Sequence, residues 1–156
     1  MRVSALIFCA VLLSGCMIAR GPDFTDAPAP GNNNALVYIY WPANFVAAAR
    51  TADIYIDDAQ VASLNAGGYA YVYVSPGSHK FSEKWEFSIF APESLIEPPI
   101  GLEAEVHAGE TRYIRFSTGV IPGAVVWHIE EAPPAEGRSE LASERYQTKS
   151  PWAAYR

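Results

Sequence analysis

Cysteine is nearly missing from this chain. There are two in 156 residues, Cys9 and Cys16, both within the first sixteen positions. A disulfide framework, a thiolate metal site and a thiol nucleophile are therefore excluded from everything after residue 16. Positive charge is scarce too: eleven Lys and Arg stand against seventeen Asp and Glu, a net charge of −6, and the basic residues are spread along the chain. Phosphate-backbone binding needs clustered positive charge, so nucleic acid is not an expected partner. Long apolar runs are limited to residues 3–13, with nothing comparable downstream. That run is shorter than the ~20 residues needed to cross a ~30 Å hydrocarbon core, so a permanent spanning helix is not expected. What the chain does have is a hydrophobic content of 50% and an aromatic complement of 4 Trp, 9 Tyr and 7 Phe. This is enough to bury a core, and the length suits one domain at ~100 to 200 residues each.

The N-terminus has the layout of a secretory signal: a basic start at Met1-Arg2, the apolar run, then Leu13-Ser14-Gly15-Cys16. Leu13-Ser14-Gly15-Cys16 resembles the bacterial lipobox. The resemblance implies cleavage before Cys16, a diacylglyceryl thioether on its sulfur and an acyl group such as palmitate on its new amine. At ~0.8 kcal/mol per buried CH₂ one acyl chain anchors only reversibly, whereas two or more hold firmly. Met17 rather than Asp follows the cysteine, which by the enterobacterial sorting rule implies the outer membrane, facing the periplasm. Loss of residues 1–15 would take Cys9 and Arg2 with it, leaving no free thiol and a net charge of −7. Residues 16–34, rich in Pro, Gly and Asn, read as the lipidated N-terminus and a flexible tether.

From residue 35 short apolar and aromatic runs are punctuated every 8 to 12 residues by turn formers, the pattern of an all-β sandwich. Strands are expected at 35–41, 53–56, 60–64, 69–74, 79–85, 102–107, 111–117 and 124–131. Asp57-Asp58-Ala59, Asn65-Ala66-Gly67-Gly68, Ser75-Pro76-Gly77-Ser78 and Ala108-Gly109-Glu110 supply turns. Residues 44–50 suggest a helical turn and 91–101, with Pro92, Pro98 and Pro99, a loop. After Pro133-Pro134 a short helix is expected over 135–147 and a tail over 150–156. The expected architecture is an antiparallel β-sandwich of about seven to eight strands, residues 35–132, with a short C-terminal helix within 133–156.

Asp53-Ile54-Tyr55-Ile56-Asp57-Asp58, the return Val61-Ala62-Ser63-Leu64, Gly67-Gly68-Tyr69 and Val74-Ser75-Pro76-Gly77-Ser78-His79 together form a recognisable pattern, with Tyr38-Ile39-Tyr40-Trp41-Pro42 upstream. The pattern is similar to the bacterial family DUF2846, and more loosely to PEGA-type and transthyretin-like sandwiches. The resemblance spans about residues 35–129 and implies a fold without an activity. Where that family most often has glycine after the second aspartate, this chain has Asp58.

No motif carries catalysis. His79, His107 and His128 are scattered, there is no Gly-x-Ser-x-Gly, and Ser75 and Ser78 are accounted for by turn chemistry. His79 is expected to bond a backbone carbonyl beside the 75–78 turn. Asp57-Asp58 and Glu130-Glu131 are adjacent pairs, which point to opposite faces of a strand or to solvent. Asp53, Asp57 and Asp58 lack the glycine and terminal glutamate of a calcium loop, and Gly67-Gly68 has no helix after it to cradle phosphate. No cofactor and no metal are expected. The feature above background is aromatic: Tyr69, Tyr71 and Tyr73 share one strand face, as do Tyr38 and Tyr40, forming flat amphipathic surfaces suited to an envelope protein, peptidoglycan or another glycan. High strand propensity of tyrosine is the competing explanation. The expectation is a non-enzymatic, lipid-anchored binding or structural adaptor. The alternative is an envelope hydrolase or glycan-acting enzyme using converging Asp and Glu.

Overall fold

A computed structural model describes residues 19–43, 51–85, 100–122 and 124–147, with backbone alone at 84–85 and 124–125. The signal-like run with Cys16, the expected helical turn at 44–50, most of the loop at 91–101 and the tail at 150–156 lie outside the described residues.

Among the described residues the strands are β1 (Ala35–Trp41), β2 (Ala52–Ile56), β3 (Ala59–Leu64), β4 (Gly68–Val74), β5 (Gly77–Trp85), β6 (Gly101–Val106), β7 (Thr111–Ile121), β8 (Ala124–Glu131) and β9 (Arg145–Tyr146), with one helix, α1 (Pro134–Leu141). They form a five-stranded sheet ordered β8-β7-β1-β4-β9 and a four-stranded sheet ordered β3-β2-β5-β6, so the protein is an all-β sandwich. Among the described residues the pairings are antiparallel except two. β1 runs parallel to β7 (Tyr38 beside Tyr113) and β4 runs parallel to β9. Turn chemistry predicts hairpins, whereas these two contacts join segments far apart in sequence.

Alternation in β1 decides the packing. Val37, Ile39 and Trp41 face the other sheet and bury with Ile54, Ile56, Leu64, Phe81, Ile114, Phe116 and Trp127. Leu36, Tyr38 and Tyr40 point the opposite way and are equally buried, in a second core with Tyr69, Tyr113, Ala132 and Leu141. A strand buried on both faces cannot border solvent, and β1 accordingly sits at the centre of its sheet. The molecule therefore has three layers: the four-stranded sheet, the five-stranded sheet, and a cover made by α1 and the N-terminal segment.

The β2–β3 turn places Asp57 at φ 49° and Asp58 at φ 66°, the left-handed pair that a two-residue hairpin requires. The C-terminal helix is shorter than the spacing predicts. It stops at Leu141, and residues 145–146 turn into β9, where Arg145 N–H donates to Gly67 O (2.8 Å) and Gln147 N–H to Tyr69 O (2.7 Å). An eight-residue helix is marginal alone; burial of Gly137 and Leu141 against the sheet holds this one.

Candidate functional site

The tyrosines foreseen as a partner-binding face are brought together. Across β1 and β4, Tyr40 pairs with Tyr69, Tyr38 with Tyr71 and Leu36 with Tyr73, and Tyr113 stacks on Tyr38 at 5.5 Å and 12°. Most of this face is nevertheless covered by the chain itself. Residues 19–30, read from composition as a tether, lie along it as a strap: Phe24 meets Tyr69 edge-on at 5.3 Å, and Tyr146 approaches Tyr69 and Tyr71 at 5.5 Å. Backbone ties fix the strap, since Thr25 N–H donates to Tyr69 Oη (3.3 Å), Ala27 N–H to Tyr38 Oη (2.7 Å) and Ala19 N–H to Ala66 O (2.9 Å). Arg138 grips Asp26 with two hydrogen bonds of 2.5 and 2.7 Å. This pairing pulls the Asp26 carboxyl below its usual range.

Tyr69, at 1% exposure, is a core residue that no partner touches in this arrangement. Tyr71 is half-buried, and Tyr73 is 43% exposed while its hydroxyl donates to Pro28 O at 2.7 Å. The surface left open is thus the Tyr71–Tyr73 rim, at the end of β4. Composition could not reveal the cover, because the strap brings only Phe24 and Ala27 as partly buried apolar contacts to it.

Carboxylates do converge at one place, and sequence spacing did not signal it. Glu130, Glu136 and Glu140 all reach Arg115, at 3.2, 2.6 and 2.8 Å, and Tyr40 Oη donates to Glu140 at 2.6 Å. Burial works against the charged Arg115 guanidinium, but these partners outweigh it and raise its pKa. Burial first, then the bond to Glu140, pushes the Tyr40 phenol upward. The guanidinium offsets part of the charge of the three carboxylates and ties β7, β8 and α1 together as a latch.

The remaining candidates separate. His79 on β5 bonds the Ser75 carbonyl through Nε2 at 2.7 Å, as expected, and meets Asp57 through Nδ1. His107 lies in the β6–β7 turn and His128 on β8. Asp53, at the start of β2, accepts from Ser63 Oγ at 2.5 Å. Gly68 lies so close to the C-terminal segment that a Cβ there would fall 1.9 Å from Gln147 Oε1, so this glycine serves close approach, while Gly67 takes the left-handed φ of 82°. Among the described residues no three His, Cys, Asp or Glu side chains are grouped to hold a metal ion, and no helix is long and apolar enough to cross a membrane. Glu144 is a buried acid that sequence reasoning missed. It is 3% exposed with Oε2 lacking a hydrogen-bond partner, and burial raises its pKa to about 7.

Comparison with known proteins gives a family and no activity. An uncharacterised protein of Haemophilus influenzae (strain ATCC 51907 / DSM 11121 / KW20 / Rd) is 25% identical over 147 residues, covering 89% of this chain and 80% of the relative. No solved structure matches. The family model of a protein of unknown function, DUF2846, matches residues 31–126, a span from the end of the strap to the middle of β8. This chain belongs to the DUF2846 family.

Proposed function

We propose that the protein is a lipid-anchored envelope protein, held through Cys16 on the periplasmic face of the outer membrane, whose β-sandwich serves as a non-enzymatic binding or structural adaptor. The observation that carries the binding role is Tyr73. Its ring is 43% exposed while its hydroxyl is held by Pro28 O and its edge by Tyr71, with ring centroids 6.1 Å apart. An exposed aromatic already fixed in place loses little conformational entropy on contact, which is the property of interface anchors. The partner this favours is an envelope protein or a glycan such as peptidoglycan, either of which packs against a flat ring with a polar tip. Support for the anchor is the Leu13-Ser14-Gly15-Cys16 sequence.

Two experiments test this. In cells, a photo-crosslinking side chain at Tyr73, with one at exposed Ala108 as reference, captures a discrete envelope protein or peptidoglycan fragment from position 73 alone. No adduct from position 73 in folded protein removes the binding role. Separately, Cys16→Ala abolishes incorporation of labelled palmitate, and a variant that remains acylated removes the anchor.

A further inference from the structure

The strand directions reveal which end of the sandwich the N-terminus leaves. β1 runs from Ala35 to Trp41, and Gly67 N–H donates to Trp41 O, so the β3–β4 connection lies at the Trp41 end. Ala19 N–H bonds to Ala66 O in that same connection. The first described residue therefore stands at the Trp41 end, and the strap runs from there toward the start of β1. Cys16 is three residues before Ala19, so an anchor on it lies within ~10 Å of this fixed point. The segment read from composition as a flexible tether therefore adds little to its height.

The same end carries an unusual hairpin. β7 is parallel to β1, with Tyr40 beside Arg115, so residues 117–121 of β7 run past the end of β1 and pair onward with β8. Five residues at ~3.3 Å each give an overhang of about 16 Å. From Phe116 to Trp127 the chain has no charged residue and reads Phe-Ser-Thr-Gly-Val-Ile-Pro-Gly-Ala-Val-Val-Trp. Val120 is 67% exposed and Ile121 49%, and these two, with Tyr73, are the large apolar side chains exposed among the described residues. The opposite end is polar, with Asp57, Asp58, Lys80, His107 and Glu110. In the sheet order β7 is two strands from β4, a lateral step of about 10 Å.

We infer that the β7–β8 tip is a membrane-seating element: Val120, Ile121 and Pro122 enter the acyl–headgroup boundary beside the lipid on Cys16, and the sandwich stands on the bilayer at two points. This rests on the anchor reading above. A projecting, uncharged aliphatic tip suits a lipid surface, into which apolar groups sink ~5 to 10 Å. A short leash on the same end keeps that tip within reach of the bilayer. Standing this way, the domain holds Tyr73, at the far end of β4, away from the membrane and open to a partner.

The test uses lipidated full-length protein in vesicles of phosphatidylethanolamine and phosphatidylglycerol, with and without brominated acyl chains. A fluorophore is placed through Ile121→Cys, Val120→Cys or, at the polar end, Ala108→Cys. The expected result is quenching by bromolipid at 120 and 121 at least threefold stronger than at 108. Equal, water-like quenching at all three sites, in protein that floats with the vesicles and carries lipid on Cys16 by intact mass, overturns the seating tip alone. An intact mass without lipid and failure to float overturn the anchor and, with it, this inference.

Discussion

His79 bridges two separate turns: its Nε2 is 2.7 Å from the Ser75 carbonyl and its Nδ1 is 2.5 Å from Asp57 Oδ2. A carbonyl oxygen only accepts, so Nε2 carries a proton, and a carboxylate facing Nδ1 favours a second one. Burial opposes the imidazolium, but the bonds to Asp57 and Ser75 outweigh it and raise the His79 pKa. The Lys80 backbone N–H, followed by His79, lowers that of Asp57. The raised histidine stabilises the fold fully below its unfolded value near ~6.5 and loses this as pH rises through the folded value; the lowered aspartate contributes above ~3.9 and loses this as pH falls. Chemical denaturation from pH 4 to 9 is expected to show the stability gap between wild type and His79→Gln widest near pH 5 to 6 and shrinking above neutrality. A pH-independent gap contradicts the clamp.

Glu144 has the opposite consequence for a carboxylate. Its folded pKa is raised to about 7 by burial, so between roughly pH 4.5 and 7 the folded state binds the proton that the unfolded state has released, and stability falls as pH rises. Glu144→Gln removes that slope. Relative to wild type the variant gains on the order of 2–3 kcal/mol from pH 4.5 to 8, at ~1.4 kcal/mol per unit. Parallel stability profiles for the two proteins are the contrary result.

Gly137 lies in α1 with its backbone against a ring: a Cβ there would fall 2.6 Å from Tyr113 Cβ and 2.7 Å from Cγ. Alanine is the better helix former by ~1 kcal/mol, yet overpacking costs about 1–3 kcal/mol. Since Tyr113 is itself buried and stacked on Tyr38, it has little room to yield. Gly137→Ala is expected to lower the unfolding free energy by about 1 kcal/mol net, read from the denaturation midpoint. Unchanged or higher stability means that α1 shifts freely.

Asp58 occupies φ 66° in the β2–β3 turn, where an L-residue pays ~1–2 kcal/mol that glycine does not. Asp58→Gly is therefore expected to stabilise by about 0.5–1 kcal/mol, with a thermal midpoint about 1–4 °C higher. A decrease means that the contacts of the Asp58 side chain exceed its backbone cost.

Local rules reached much of this fold. β1 and β8 match their expected bounds, and the other strands through β7 differ chiefly at their ends, because period-two alternation and turn residues act within a few positions of one another. The Asp57-Asp58 turn and the His79–Ser75 bond were legible for the same reason. The helix end and β9 were not. Leu141, Ala142 and Tyr146 sit at helical spacing, but Tyr146 N–H finds the Pro22 carbonyl at 2.9 Å, a partner 124 positions away that no local pattern contains.

The sequence alone determined that Tyr69, Tyr71 and Tyr73 share one face, since side chains alternate along a strand. Which of them meets solvent was decided by tertiary structure. The strap and Tyr146 of β9 close over Tyr69, leave Tyr71 partly open and hold Tyr73 only by its hydroxyl at Pro28, through ties such as Ala27 to Tyr38 and Asp26 to Arg138. Alternation is a property of one strand's geometry. Coverage depends on where a distant segment runs, and a strap held by hydrogen bonds and a single phenylalanine leaves no periodic trace in composition.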